Sequence, residues 1–281
     1  MAGKAETRTA FKVACVQFEP TIGDVAGNLA AMAKRIRAAH REGASVIVLP
    51  ELADSGYVFN DRDEVARLAS PIPDGESARQ LIALARELGV HIVSGLAERD
   101  GETFYNSAIL CGPQGYIGKF RKLHLWNREK LFFKPGDLGL PVFDTALGKI
   151  GLAICYDGWF PEIFRQMTLN GAELVCVPTN WVPIPGQDRS MEPMANILHK
   201  AAAHSNAIYI ACADRIGVER GQPFIGASLI IGPTGRPVAG PAGYDTEEIL
   251  SATISLGDLK ASRTLTERND VIGDRRPDVY G

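Results

Sequence analysis

Two residues with chemically useful side chains follow apolar stretches of the chain. Cys155 comes near the end of the run KIGLAICYD, and Glu51 comes near the end of ASVIVLPEL. A cysteine thiolate is a strong nucleophile, and a carboxylate can take the proton of a thiol. Ligands of α/β proteins bind beyond the carboxyl ends of the strands. Because both residues follow strand-like segments, we predict that they lie at one pocket.

The sequence around Cys155 is compatible with a nucleophile, although a free cysteine in an apolar run is more often a core residue. With alternation of period two, Gly151 and Ala153 share its face and leave space there. Pro161 suits the first turn of a helix that continues as EIFRQMTLNGA, whose backbone N–H groups would favour a thiolate and bind an oxyanion. Three further cysteines inside apolar runs are expected to be inert: Cys15, Cys176 and Cys212.

A basic segment, GKFRKLHLWNREKLFFKPGD, lies at the end of the first half of the chain. Alternation places Phe120, Lys122 and His124 on one face of a strand-like stretch. The local pattern does not distinguish Lys122 from its basic neighbours, which are expected to be solvated charges: Lys119, Arg121, Lys130 and Lys134.

The elements that position these residues follow a β-α-β order. Five short apolar segments predict strands: FKVACVQF, ASVIVLPE, HIVSGLAE, KIGLAICYD and ELVCVPTNW. Helical periodicity appears in NLAAMAKRIRAAHREG, ESARQLIALARELG and MEPMANILHKAAAHSN. Gly-Pro-x-Gly turns predict one hairpin in each half, NSAILCGPQGYIGKF and ASLIIGPTGRPVAG. We predict two similar halves whose sheets pack face to face, an α/β four-layer α-β-β-α sandwich. It would form one domain over residues 1–281, with a polar tail over residues 257–281 that contacts a partner subunit or frays.

The composition argues against several kinds of partner. The chain carries 30 Lys and Arg against 33 Asp and Glu, and this balance offers no basic surface for nucleic acid. No run of about 18 apolar residues predicts a membrane span, and MAGKAETRTAFK lacks an apolar signal core, so we expect a cytoplasmic protein. The histidines form no ligand pattern and common nucleotide and zinc motifs are absent, so no cofactor and no metal are expected. The five scattered cysteines are expected to be reduced.

Three blocks in a fixed order give a more specific signal. PELADSGY carries Glu51, GKFRKLHLW carries Lys122 and GLAICYDGWFPE carries Cys155, followed by NGAELVCVPTNW. In this order the blocks resemble the nitrilase superfamily of carbon-nitrogen hydrolases over nearly the whole chain. The resemblance implies that Glu51 is the general base, Lys122 stabilises the oxyanion and Cys155 is the nucleophile. It also implies that Glu129 orients Lys122 and the substrate, and that the fold is the α-β-β-α sandwich predicted above.

The residues after Cys155 indicate the branch of the superfamily. Nitrilases of this superfamily usually have Cys-Trp-Glu, whereas Tyr156 and Asp157 follow here, as in amidase branches. The resemblance therefore implies that water hydrolyses a small linear amide to a carboxylate and ammonia through a thioester. The alternatives are an N-carbamoyl amine or amino acid amidohydrolase, a nitrilase, or a catalytically silent binding or regulatory module. No arginine directly follows Cys155 to bind a substrate carboxylate, and Arg165 and Arg189 have no predicted place, which favours a neutral or cationic amide.

Six side chains near these blocks are candidates for the substrate pocket, with core packing as the alternative: Tyr57, Trp126, Tyr156, Trp159, Asn180 and Trp181. The backbone N–H of Tyr156 is also a candidate oxyanion donor. The resemblance further implies a homodimer or a larger homo-oligomer. Its contacts would involve the helix EIFRQMTLNGA, the helix over residues 191–205 and the C-terminal tail.

Overall fold

The computed structural model describes residues 10–280. Most of the N-terminal segment that the sequence predicts to carry no signal lies outside the described residues, and so does Gly281. The strands are β1 (Phe11–Gln17), β2 (Ala44–Val48), β3 (His91–Asp100), β4 (Thr103–Gly112), β5 (Gly115–Arg121), β6 (Val142–Thr145), β7 (Gly148–Leu152), β8 (Leu174–Pro178), β9 (Tyr209–Ala213), β10 (Val218–Glu219), β11 (Gln222–Pro223), β12 (Leu229–Ile231), β13 (Pro237–Ala239), β14 (Glu248–Ile254), β15 (Thr264–Thr266) and β16 (Asn269–Asp270). The α-helices are α1 (Val25–Arg41), α2 (Arg62–Leu68), α3 (Glu76–Leu88), α4 (Glu129–Phe132), α5 (Pro161–Leu169), α6 (Met194–Asn206), α7 (Leu259–Arg263) and α8 (Pro277–Tyr280). Two 3₁₀ helices cover Cys155–Trp159 and Leu256–Asp258.

Two six-stranded sheets form the centre of the molecule. Their strand orders are β14-β1-β2-β3-β4-β5 and β13-β12-β9-β8-β7-β6. In each sheet three consecutive strands are parallel, β1 to β3 in the first and β7 to β9 in the second, and antiparallel strands flank them. The five strands, three helices and two hairpins predicted from the sequence are present.

The two sheets pack face to face through one apolar core. Val48 and Leu110 of the first sheet and Leu152 and Val177 of the second belong to the same buried cluster. Because these strands are buried on both faces, their sequences are continuous apolar runs and do not alternate between apolar and polar residues. Helices cover the outer faces, which gives the predicted α-β-β-α sandwich.

The outer helices are held by amphipathic faces and by close approach to the sheets. Leu29, Met32 and Ile36 of α1 recur at helical spacing and lie in the cluster that covers the outer face of the first sheet. On the second sheet, Gly151 of β7 lets α5 come close, because a Cβ there would lie 2.9 Å from Met167 Sδ. Among residues 10–280, no helix is long and apolar enough to cross a membrane.

Two details differ from the sequence prediction. β7 ends at Leu152, so Cys155 is not the last residue of a strand but the first of a 3₁₀ helix. The alternation rule fails there because the Asp157 carboxylate accepts a hydrogen bond from Ile154 N and turns the chain before the thiol. The tail is also more structured than predicted, since α7, a β15-β16 hairpin and α8 lie within it. The single domain over residues 1–281 includes undescribed residues and stays a prediction.

Candidate active site

Glu51 lies just beyond the end of β2 and is fully buried. Its Oε1 accepts hydrogen bonds from Lys122 Nζ at 2.6 Å and from Asn106 Nδ2 at 2.6 Å, whereas its Oε2 has no partner. The backbone is fixed from behind by Gly95, where a Cβ would lie 2.4 Å from Glu51 Cα. One carboxylate oxygen is therefore fixed by the protein and the other is available for a proton.

Lys122 follows β5 and lies between two carboxylates. Its Nζ donates to Glu51 Oε1 at 2.6 Å and to Glu129 Oε1 at 2.7 Å, and its side chain is fully buried. Burial opposes the charge, but Glu129 and Glu51 outweigh it and raise the pKa of Lys122 above its usual value. An ammonium group has three N–H donors, so one remains for a substrate oxygen.

Glu129 is the first residue of α4, and both of its carboxylate oxygens accept hydrogen bonds. Its Oε1 accepts from Lys122 and, at 2.6 Å, from the Tyr57 hydroxyl, while its Oε2 accepts from Trp126 N at 3.2 Å. Tyr57 therefore contacts the acidic partner of Lys122 as well as the pocket. The sequence indicates Tyr57 only as a pocket residue and gives no signal for this second contact.

Cys155 sits in a strained backbone conformation at the start of the 3₁₀ helix. Its φ is +46°, which is uncommon for a residue with a Cβ and typical of functional sites. Asp157 fixes this turn: its Oδ2 accepts from Ile154 N at 3.1 Å, and its Oδ1 accepts from His124 N at 2.9 Å. The first hydrogen bond of the turn runs from Asp157 N to Ile154 O, so the N–H of Tyr156 precedes it and can bind an oxyanion.

The resting state pairs a neutral thiol with a titratable carboxyl group. Burial raises the pKa of Cys155 well above its usual value, and the nearby Glu51 acts in the same direction, against Lys122 and the Thr179 hydroxyl. Burial also raises the pKa of Glu51 to about 7, although the charge of Lys122 opposes the shift. The N–H groups at the helix start are expected to favour a thiolate, and burial acts on the pKa of Cys155 in the opposite direction.

The candidate substrate pocket has an outer and an inner part that share Trp126 and Val182. The outer part spans about 460 Å³, counting space that is open to solvent, and Tyr57, Glu129 and Arg128 line it. The inner part spans about 260 Å³ next to Cys155, again counting space that is open to solvent. Besides the two shared residues, its lining includes Tyr156, Trp159, Asn180, Trp181 and Ile184. All six pocket candidates from the sequence thus line one of the two parts.

The residues of the site that are not predicted from the sequence include Asn106, Thr179, Val182 and Ile184. Asn106 lies within β4 and reaches Glu51 only because of strand pairing, so no local pattern reveals it. Val182 and Ile184 follow the candidate Trp181 closely, and this nearness in the sequence is the signal that could have indicated them as pocket residues. Arg165 and Arg189 line neither part: Arg165 lies at a separate cavity beside α5, and Arg189 pairs with Asp245 at the surface.

Two basic residues near Lys122 are not solvated charges, contrary to the prediction. Arg121 is buried and donates to Glu98 and, at 2.7 Å, to Asp100, and Lys119 is partly buried beside the same Glu98. These ion pairs lie on the opposite face of β5 from Phe120, which packs in the inter-sheet core. Lys130 and Lys134 are exposed, as predicted.

Comparison with known proteins identifies the family. The sequence model of the Carbon-nitrogen hydrolase family matches residues 12–264. The chain is 44% identical over 269 residues to a nitrilase of Pyrococcus abyssi, a match that covers 96% of this chain and 98% of that protein. It is 36% identical over 293 residues to the N-carbamoylputrescine amidase of Solanum lycopersicum, covering 98% of this chain and 95% of that protein.

One similar solved structure is of an amidase whose active-site cysteine is covalently modified. A glutamate-to-glutamine mutant of the amidase from Nesterenkonia sp. AN1, with the acetamide moiety of fluoroacetamide covalently added at its active-site cysteine, is 26% identical to this chain. It superimposes with a TM-score of 0.79 over 99% of this chain and 98% of that one. The chain belongs to the carbon-nitrogen hydrolase family of the nitrilase superfamily, which confirms the resemblance seen in the sequence.

Proposed function

We propose that the protein hydrolyses small neutral linear amides to a carboxylate and ammonia through a thioester at Cys155. The observation that carries the proposal is the group around Lys122. Its ammonium is fixed by Glu51 and Glu129, keeps one donor free, and lies close enough to the Cys155 thiol to oppose the rise that burial causes in the pKa of Cys155. A nucleophile, a base and an oxyanion donor are the three parts that acyl transfer requires.

The first half of the reaction forms the thioester. Glu51 accepts the thiol proton as Cys155 Sγ attacks the amide carbon, and the oxyanion is stabilised by Lys122 Nζ and by the N–H of Tyr156. The carboxyl group then gives the proton to the amide nitrogen, the C–N bond breaks and ammonia leaves. Glu129 touches no reacting atom and keeps Lys122 in place.

The second half consumes one water molecule. Glu51 takes a proton from the water as its oxygen attacks the thioester carbon, and Lys122 again stabilises the oxyanion. The C–S bond breaks, the sulfur recovers the proton, and the carboxylic acid leaves. The pKa of Glu51, raised to about 7 by burial, suits a group that must accept and return a proton near neutral pH.

The charge of the pocket supports a neutral substrate. Among the described residues that line its two parts, the only carboxylate is Glu129, which Lys122 and Tyr57 already occupy. N-carbamoylputrescine ends in an ammonium group, which would find no free acid there and would meet Arg128 at the exposed mouth. The aromatic and aliphatic inner part fits an apolar acyl group.

A nitrilase remains the second candidate, because the Pyrococcus abyssi relative carries that name. The two activities share the thioester, so the deciding measurement is ammonia release from short aliphatic amides against the nitriles of the same acyl groups. N-carbamoyl amines and amino acids complete the panel. We expect the amides to give the higher kcat/KM, and faster turnover of the matched nitriles would reject the amidase assignment.

Variants of two cysteines test the nucleophile and the silent-module alternative. Cys155→Ala should remove all turnover, because no other cysteine lines the described parts of the pocket. Cys111→Ala is the matched control, since Cys111 is buried in the outer cluster of the first sheet. We expect its activity to stay near that of the wild-type protein, and turnover by Cys155→Ala would refute the mechanism.

The assembly and the location are further proposals. The outer face of α5 and α6 exposes the apolar side chains of Leu169, Met194 and Ile197, and these support a homodimer through that face. The cytoplasmic location stays a prediction from the sequence.

A further inference from the structure

A buried ion pair lies behind Tyr57, outside the catalytic group. Arg215 and Glu219 are almost fully buried, and Arg215 Nη1 donates to Glu219 Oε1 at 2.7 Å. Both belong to the segment over residues 214–224, which follows β9 of the second sheet. Arg215 is fixed further by Pro20 O at 3.0 Å and by the ring of Phe224, whose centroid lies 4.1 Å from its guanidinium carbon.

Glu219 uses its second oxygen to hold the backbone of the loop that carries Tyr57. Its Oε2 accepts from Tyr57 N at 2.8 Å and from Val58 N at 2.5 Å. The approach is close, because a Cβ on Gly56 would lie 2.9 Å from Glu219 Oε1, and Gly56 also has a φ of +81°. The Tyr57 ring packs edge-on against Phe224, with centroids 5.8 Å apart.

These contacts continue to the reacting groups. The Tyr57 hydroxyl donates to Glu129 Oε1 at 2.6 Å, and the same oxygen accepts from Lys122 Nζ at 2.7 Å. A loop that moved by a fraction of an ångström would therefore change the geometry of the carboxylate that fixes the oxyanion donor. Small displacements of catalytic groups can lower the rate of the catalysed reaction strongly.

We propose that Glu219, held by Arg215, is a positioning residue that sets Lys122 through Tyr57 and Glu129. The inference deepens the proposed function and rests on it, since it concerns the same site. The proposal also gives the ion pair a function. Stability alone does not account for the pair, because buried ion pairs are often no more stabilising than apolar residues of similar size.

A double-mutant cycle tests this route. Glu219→Gln keeps the volume but places an amide group between the Arg215 guanidinium and two backbone N–H donors, and Tyr57→Phe removes only the hydroxyl. If Glu219 acts through that hydroxyl, each single variant should lower kcat by about tenfold, and the double variant should be no slower than the slower single one. KM should change little, because Lys122 acts on the transition state.

Glu247→Gln is the control, since Glu247 forms a carboxylate–arginine pair with Arg35 at the surface. It should leave kcat unchanged. Multiplicative losses in the double variant, or a Glu219→Gln protein with wild-type kcat, would overturn the proposal. If Glu219→Gln does not fold, Glu219→Asp retains the charge opposite Arg215, shortens its reach to the loop and enters the same cycle.

A second readout keeps this test separate from the substrate assignment. The rate of Cys155 alkylation by iodoacetamide, followed by peptide mass spectrometry, should depend on Lys122, because the ammonium opposes the rise that burial causes in the pKa of the thiol. The same non-additive pattern is expected in these rates. A wild-type protein that hydrolyses no amide would defeat the proposed function, and the alkylation cycle would still decide the role of Glu219; additive alkylation rates would refute it.

Discussion

At the scale of single residues, we expect the protonation of Glu51 to control the proposed reaction near neutral pH. Burial raises its pKa to about 7, and only the ionised form can accept the thiol proton. We expect kcat/KM for a neutral amide to fall as the pH drops below about 7, approaching tenfold per unit. Lys122 causes no loss on the alkaline side, because its carboxylate partners raise its pKa. A pH profile of kcat/KM from about pH 5 to 9 measures this.

The loss of activity at acid pH should occur without unfolding of the protein. The pKa of Glu51 is higher in the folded protein than in an unfolded chain, so folding favours its protonated form. This contribution to stability is present at low pH and is lost as the pH rises from the usual carboxyl range to about 7. The melting temperature, measured over the same range, separates the two effects. A rate profile that stays flat below about pH 7 would contradict the role of Glu51 as base.

At the scale of elements, the turn that carries Cys155 depends on one carboxylate. Asp157 uses both oxygens, one for Ile154 N and one for the N–H of His124. Asp157→Asn leaves a single acceptor oxygen, so the buried N–H of Ile154 or the partly buried N–H of His124 loses its partner, at a cost of about 1–3 kcal/mol in stability. The strained φ of Cys155 should relax, and kcat should fall by about 10²-fold.

A matched substitution separates turn geometry from general damage. Asp144→Asn changes an exposed carboxylate that pairs with Lys149 in the same half of the molecule, so its kcat and melting temperature should match the wild type. Kinetics and thermal unfolding of the two variants give the comparison. An Asp157→Asn protein with a lowered melting temperature and a normal kcat would show that the turn does not position the thiol.

Elements with strong local patterns are predictable from the sequence, and contacts across elements are not. β2 and α1 follow directly from apolar runs and helical spacing, which depend on neighbouring residues only. The prediction of a surface charge at Arg121 is wrong because its partner Glu98 comes from a different strand of the sheet. The turn at Cys155 escapes prediction because a side-chain bond to Asp157 overrides the strand pattern.

The residues of the site also differ in whether a local sequence pattern predicts them. Glu51 and Cys155 are predictable as partners, because each follows an apolar run that ends at the same edge of an α/β fold. Lys122 requires the family resemblance, since its strand contains several basic residues with the same local pattern. Asn106 and Glu219 are recognisable only in three dimensions, because they reach the site from distant segments.

At the scale of the whole molecule, the outer face of α5 and α6 predicts the assembly. Leu169, Met194 and Ile197 are exposed there, and the C-terminal helix adds Val279 and Tyr280. We expect a dimer in sedimentation velocity at micromolar concentration. Ile197→Glu places a charge in the predicted contact and should shift the protein towards monomer, whereas Val238→Glu, at an exposed apolar position on β13, should not. A wild-type monomer would contradict this interface.

The first sheet is completed by the last long strand of the chain. β14 pairs antiparallel with β1, from Phe11 opposite Ile254 to Gln17 opposite Glu248. During synthesis β1 leaves the ribosome before the other described strands, and its outer edge stays unpaired until β14 has been added. Open edges pair readily with foreign strands, and contacts between distant segments form slowly. A nascent chain that stalls before β14 therefore exposes the strand beside the one that leads to Glu51.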